Sequence, residues 1–248
     1  MALIRCDFSS ETLELRSSMS VLLPEHAATP PPLLYLLHGL TDDDTAWTRY
    51  TSIERYADER GLAVVMPQVH RSFYTDEAHG SKFWTFLSEE LPGLVGRMFR
   101  VSARREDTFV AGLSMGGYGA FKWALRHPER FAAAASLSAP LDLATTTRQD
   151  KRPHIVEVVG RVFAGRPVAG TGDDLFHLLT REGERPALLL RCGTEDHTLA
   201  QNEAFVAACR KQGVDLDAGF GPGGHEWSYW DAEIQTVLDW LPLRAGKS

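Results

Sequence analysis

Cysteine is scarce in this sequence. Three of 248 residues are cysteine (Cys6, Cys192 and Cys209), an odd number with no shared metal-ligand spacing, which reads as reduced thiols in a cytoplasm. Cys192 ends an apolar run and Cys209 shares a helical face with Phe205 and Ala208, both positions for small core fillers. Clustered positive charge is missing as well: Arg104-Arg105 and Lys151-Arg152 are only pairs, and the net charge is −7. A nucleic-acid partner is therefore not expected. No apolar run approaches the ~18 residues that span a bilayer, so no membrane partner is expected either. The start, Met1-Ala2-Leu3-Ile4-Arg5-Cys6-Asp7, lacks the basic stretch and apolar core of a secretory signal. Internal repeats and low-complexity linkers are absent, which points to one domain over residues 1–248.

What is present suits a globular enzyme: 44% hydrophobic and 24% charged residues. Residues 11–23 alternate loosely and read as an antiparallel hairpin or edge strand pair. Leu33–Leu37 and Leu62–Met66 are apolar at every position, as strands covered on both faces must be. Between them Thr51-x-x-Glu54 opens a short helix that Gly61 closes. A helix bearing Phe83, Phe86 and Leu87 follows, kinked or restarted at Pro92. Further strands are expected near 108–113, 131–137, 187–190 and 214–220, with a helix carrying Tyr118 to Leu125, one over about 199–212 and a closing one carrying Trp230 to Leu241. Residues 142–185 are the least sheet-like part. Two helical patterns there, 154–164 and 173–181, suggest a cap inserted near the strand tips. Alternating strands and helices predict an α/β fold built on one doubly wound, mostly parallel sheet.

The chemistry concentrates in Gly112-Leu113-Ser114-Met115-Gly116, where an apolar strand gives way to a helix. An abrupt strand-to-helix turn lifts the middle side chain clear of the backbone, and small residues two before and two after it prevent clashes. Tyr118, Phe121, Lys122 and Leu125 then recur at helical spacing, and His127-Pro128 ends the helix. A serine hydroxyl needs a base, and a base needs a carboxylate to fix its tautomer. Of nine histidines, only His225 combines a post-strand loop, flanking glycines and a following helix. His38 falls beneath the loop after the first buried strand, and His197 should point away from its neighbour Asp196. Asp196 is the expected acid, with Glu195 a close rival and Asp142 a distant one. The order Ser, Asp, His is that of the α/β-hydrolase fold.

A tetrahedral intermediate also needs donors for its oxyanion. The backbone N–H of Met115, one residue past the nucleophile, is one candidate; the N–H of Leu40 in His38-Gly39-Leu40 is the other. Trp47, Tyr74 and Trp84, with Gly39, are candidates for lining a substrate pocket, although the three aromatics would serve equally to pack the loops together. Asp42-Asp43-Asp44 lacks the glycine-spaced pattern of a calcium loop and reads as solvated, so no metal and no cofactor is expected.

In order along the chain stand Leu34–Leu40, Trp47, Val65-Met66-Pro67, Tyr74-Thr75-Asp76, Ala111–Ala120, Cys192–Asp196 and Gly223–Trp227. This series resembles the esterase family that contains esterase D (S-formylglutathione hydrolase), the tributyrin esterases and the antigen-85 mycolyltransferases. It is most similar to the bacterial tributyrin-esterase branch, over roughly residues 30–242. The resemblance implies an α/β-hydrolase fold and a serine carboxylesterase cleaving short-chain acyl esters through an acyl-enzyme. By position it implies Ser114 as nucleophile, Asp196 as acid, His225 as base, and Leu40 and Met115 as oxyanion donors, favouring Asp196 over Glu195. One departure matters. S-formylglutathione hydrolases usually carry Gly-Leu-Thr-Cys where this chain has Gly39-Leu40-Thr41-Asp42, which points away from glutathione thioesters. The alternatives are such a thioesterase, an acyltransferase, or a silent binding protein on the same fold. The missing secretion signal disfavours a mycolyltransferase, and the intact Ser, Asp and His disfavour a silent protein. The expected partner is a small-molecule ester; the sequence leaves a homo-oligomer open.

Overall fold

The computed structural model describes residues 1–243. In chain order its strands are β1 (Ala2–Ser10), β2 (Leu15–Leu23), β3 (Leu33–Leu37), β4 (Ala63–Pro67), β5 (Thr108–Leu113), β6 (Ala133–Leu137), β7 (Ala187–Gly193) and β8 (Asp217–Gly221). Its helices are α1 (Ala46–Tyr50), α2 (Ile53–Asp58), α3 (Phe83–Thr85), α4 (Leu91–Met98), α5 (Met115–Arg126), α6 (Leu143–Gln149), α7 (Pro153–Phe163), α8 (Leu175–Leu178), α9 (Leu199–Gln212) and α10 (Trp227–Trp240). The strands form one sheet in the order β1-β2-β4-β3-β5-β6-β7-β8. From β4 to β8 every pairing is parallel, while β2 runs antiparallel to both β1 and β4. With helices on both faces, this is the α/β-hydrolase fold. Among the described residues no helix is long and apolar enough to cross a membrane.

Strand side chains alternate between two cores, one on each face of the sheet. In β3, Leu33, Tyr35 and Leu37 join the core beneath α5, while Leu34 and Leu36 join the one beneath α2 and α10. Burial on both faces explains why these strands read as unbroken apolar runs. The hairpin begins earlier than residue 11: β1 occupies Ala2–Ser10 and only residues 11–14 turn. Its inward residues Ile4, Cys6 and Phe8 do alternate, but the outward Leu3 blurs the pattern.

Two helical details depart from the sequence pattern. Between α3 and α4 the chain winds as a π-helix over Phe86–Glu90. Pro92 has no N–H to offer the Ser88 carbonyl one turn back, and the Arg130 guanidinium supplies that donor instead. In the 142–185 segment a third helix, α6, precedes the two expected. Its sequence, Leu-Ala-Thr-Thr-Thr-Arg-Gln, has little helix propensity and no apolar period. Asp142 starts it by accepting the Thr145 N–H at 2.8 Å.

That segment is fastened to α5. Lys122 of α5 is fully buried, pairs with Asp173 at 2.5 Å, and donates to the Tyr74 carbonyl (2.7 Å) and Thr75 Oγ1 (2.9 Å). Burial lowers its pKa to about 8, with Asp173 opposing the shift. Tyr118, one turn earlier, donates to the Asp173 carbonyl at 2.7 Å. Removing one member of a buried pair strands the other charge. Lys122→Met should therefore destabilise the protein by about 3 kcal/mol in urea unfolding, and Lys122→Met/Asp173→Asn by clearly less than the two single changes summed. Simple additivity would show that the pair does not act as one.

Candidate active site

Ser114 is the hinge between β5 and α5. Its φ is +51° and its ψ −121°, a backbone region that L-residues rarely enter. Two glycines make the turn possible. A Cβ on Gly112 would stand 2.4 Å from the Gly116 carbonyl carbon, and one on Gly116 would stand 2.3 Å from the Leu37 oxygen. Both clashes are with backbone, so no side-chain rotation relieves them. The Ser114 N–H donates to the Leu137 carbonyl at 2.8 Å, which ties the turn to β6. The hydroxyl is left facing solvent at the N-terminus of a 12-residue helix.

Three strand ends bring the polar partners together. Ser114 follows β5, Asp196 follows β7 and His225 follows β8. His225 Nε2 lies 3.0 Å from Ser114 Oγ, and His225 Nδ1 lies 2.9 and 3.1 Å from the two Asp196 oxygens. Asp196 Oδ1 also accepts from the Thr198 N–H and hydroxyl, both at 2.8 Å. Burial opposes ionisation of Asp196, but the His225 and Thr198 hydrogen bonds outweigh it and bring its pKa down to about 2. Acting only as an acceptor there, the carboxylate requires Nδ1 of His225 to carry the proton and Nε2 to offer a lone pair. Glu195 is turned outward, accepting from the Thr194 hydroxyl at 2.9 Å and from the Gly223 N–H. It braces the loop that carries His225 instead of touching the ring.

The family model described as "Putative esterase" matches residues 10–241. The chain belongs to this esterase family. Among its relatives, an acetyl esterase of Caldicellulosiruptor saccharolyticus is 26% identical over 265 residues, covering 97% of this chain and 98% of that protein. Two solved Staphylococcus aureus structures are also similar. One is FphF, a fluorophosphonate-binding serine hydrolase with substrate bound, at 33% identity and a TM-score of 0.90 over 97% of this chain and 98% of the other. The other is the S-formylglutathione hydrolase FrmB, at 34% identity and a TM-score of 0.86 over the same shares. This esterase is accordingly a carboxylic ester hydrolase.

A cleft of about 500 Å³ opens over Ser114 in the esterase. Gly39, Leu40 and Met115 border it, so the expected oxyanion loop and the residue after the serine share one space with the hydroxyl. Phe73, Pro140, Trp227 and Trp230 supply apolar wall, and Arg152, His154 and Ile155 close one side from the 142–185 segment. Phe73 stands in a loop where three non-glycine residues, His70, Phe73 and Tyr74, have φ of 49–50°. Such strain is held by surrounding packing and gathers near functional sites.

The three aromatics singled out from the sequence lie outside this wall, for traceable reasons. Trp47 is buried and donates from Nε1 to the Leu37 carbonyl at 3.2 Å; Tyr74 is buried and donates to the His38 carbonyl at 2.9 Å. Both donate to carbonyls at and just past the end of β3, and so brace the Gly39-Leu40 loop from below. Tyr74 also lies flat on Gly119, where a Cβ would approach its ring to 2.5 Å. Trp84 is in contact with two cations, with Lys122 Nζ 4.6 Å and Arg126 Cζ 4.1 Å from its ring. His38, fully buried, accepts the Val69 N–H on Nε2 at 3.2 Å and hydrogen-bonds the Gly39 carbonyl through Nδ1 at 2.7 Å. The acidic run is not solvated throughout. Asp44 is buried and accepts from Ser18 and Ser20, both at 2.9 Å, while Asp43 binds Thr45. His197 does not point away from the acid either: its Nδ1 lies 3.5 Å from Asp196 Oδ1.

Trp227 and Trp230 went unmarked as pocket residues in the sequence. They follow His225 by two and five positions at the start of α10, and that proximity was their available signal.

Proposed function

We propose that this esterase is a serine carboxylesterase that hydrolyses short-chain acyl esters through an acyl-enzyme on Ser114. The observation that carries the reading is the unbroken hydrogen-bond chain from Ser114 Oγ through His225 to Asp196 at a strained elbow. In the first half-reaction His225 Nε2 takes the hydroxyl proton as Oγ attacks the ester carbonyl. The tetrahedral oxyanion is met by the backbone N–H groups of Leu40 and Met115, each such donor contributing about 3 kcal/mol to the barrier reduction. His225 then gives its proton to the departing alkoxide, and the alcohol leaves. In the second half-reaction a water gives its proton to His225 and attacks the acyl carbonyl, His225 returns that proton to Ser114 Oγ as its bond to the acyl carbon breaks, and the carboxylic acid leaves. Asp196 stays ionised throughout and steadies the imidazolium.

Short acyl groups are favoured by the acetyl esterase relative; Phe73, Trp227 and Trp230 supply apolar wall in the same cleft as Ser114. The likeness to an S-formylglutathione hydrolase supports thioester cleavage as the second reading, while Asp42 places a carboxylate at the cleft where that group usually has cysteine. The three free cysteines support a reducing, cytoplasmic setting.

Mixing the enzyme with excess p-nitrophenyl acetate should give a burst of one p-nitrophenolate per active site, and a fluorophosphonate probe should label Ser114 alone. Esters of two to eight acyl carbons should lose kcat/KM as the chain lengthens. S-formylglutathione should give a lower kcat/KM than p-nitrophenyl acetate. A reversed order would assign the enzyme to thioesters, and unlabelled Ser114 in folded protein would refute the mechanism.

A further inference from the structure

The triad acid has a second histidine beside it. Asp196 Oδ1 is 3.1 Å from His225 Nδ1 and 3.5 Å from His197 Nδ1, and the two imidazoles meet edge to face with centroids 4.4 Å apart. One ligand atom from each of the three residues falls within a common span of 4.8 Å. A tetrahedral zinc ion with ligand bonds near 2.0–2.1 Å keeps its donor atoms about 3.3–3.4 Å apart, a separation these distances bracket. Two imidazole nitrogens and one carboxylate oxygen form a donor set suited to borderline divalent cations. The Asp196 carboxylate is already oriented by two Thr198 hydrogen bonds, as an outer shell would orient it. His197 is half exposed and gives the ion a path from solvent.

We propose that Asp196, His197 and His225 form an inhibitory site for a borderline divalent cation such as Zn²⁺. This rests on the reading of His225 as the general base. In the working arrangement His225 holds its proton on Nδ1 and offers Nε2 to Ser114. A cation needs the Nδ1 lone pair, so the single proton of the neutral ring moves to Nε2. The hydrogen bond between His225 and Asp196 breaks, metal bonds to both replace it, and no proton is gained or lost by the ring. Nε2–H then faces Ser114 as a donor and cannot receive its proton. The ion also occupies the carboxylate that would steady the imidazolium. Hydrolysis stops before acylation and resumes when the ion leaves.

The test uses the full chain and ZnCl₂ in a buffer that does not bind metal. Hydrolysis of p-nitrophenyl acetate should fall as zinc rises and recover fully with EDTA. His197→Phe keeps an aromatic ring against His225 but supplies no nitrogen, and its half-inhibiting zinc concentration should rise at least tenfold. Calorimetric titration of ZnCl₂ into Ser114→Ala needs no turnover and should show one site per chain, weakened at least tenfold by adding His197→Phe. No inhibition, an unchanged half-inhibiting concentration in His197→Phe, or no binding to Ser114→Ala would each overturn the site. These outcomes are separable from the triad reading. Fluorophosphonate can label Ser114 while zinc does nothing, and zinc can bind Ser114→Ala whether or not labelling succeeds.

Discussion

Ser114→Ala is expected to lower kcat about 10⁶-fold on p-nitrophenyl esters, the scale seen when a triad serine is removed from a serine hydrolase. The loss is this large because every covalent step of the proposed mechanism passes through Oγ. His225 and Asp196 cannot compensate, since among the described residues Ser114 supplies the hydroxyl that is hydrogen-bonded to His225 Nε2. Residual turnover would come from water oriented by His225 and from the Leu40 and Met115 N–H groups. The fold should survive, because alanine enters the φ +51° region at much the same cost as serine and the Gly112 and Gly116 contacts are untouched. Thermal unfolding and near-ultraviolet circular dichroism should match the parent. Turnover at the parent rate in such a folded variant would remove Ser114 from the mechanism.

Asp196→Asn should cost about 10⁴-fold in kcat, and the reason is tautomeric. Thr198 donates twice to Oδ1, so the amide oxygen must take that position and the amide NH₂ must face His225 Nδ1 where Oδ2 now lies at 2.9 Å. A donor there requires an acceptor on Nδ1, which sends the ring proton to Nε2 and leaves Ser114 without a base. Glu195→Gln is the paired control. Its carboxylate accepts the Gly223 N–H on one oxygen and the Thr194 hydroxyl on the other; a glutamine oxygen can keep the first, and its NH₂ can donate to the Thr194 hydroxyl. Its kcat should stay within about tenfold of the parent. Equal losses in the two variants would mean that the acid had been assigned to the wrong residue.

The contrast between those neighbours marks how far the sequence could be read. Strand ends were legible because each buried strand is an apolar run cut off by glycine, histidine or proline, and a parallel sheet collects such ends along one edge. That logic, with the elbow motif, selected Ser114 and His225 and left Asp196 beside its rival Glu195 until the family resemblance favoured Asp196; the geometry brings Ser114, His225 and Asp196 within hydrogen-bonding distance. It failed for side chains whose partners are carbonyls. Trp47 and Tyr74 look like pocket aromatics in one dimension, but they brace the Leu37 and His38 carbonyls. No pattern of residue types announces which carbonyl a buried aromatic will meet. It failed too for α6, whose three threonines hide a helix started by Asp142, and for Asp44, whose burial depends on Ser18 and Ser20 from a distant strand. The orientation of His197 toward Asp196 was invisible for the same reason: turn geometry, not residue type, sets it.

The attachment of Lys122 to Asp173 has a kinetic consequence. The 142–185 segment is moored at several further points: Arg166 to the Asp76 carbonyl, Arg161 to Glu77, the Ala78 N–H to the Val162 carbonyl, and Arg71 to the His154 carbonyl. Swinging it outward would part a fully buried ammonium from its counter-ion, at several kcal/mol before any other contact is lost. Such an element does not serve as a gate that opens and closes once per turnover. Substrate entry and alcohol release are then expected to need no outward swing of this segment.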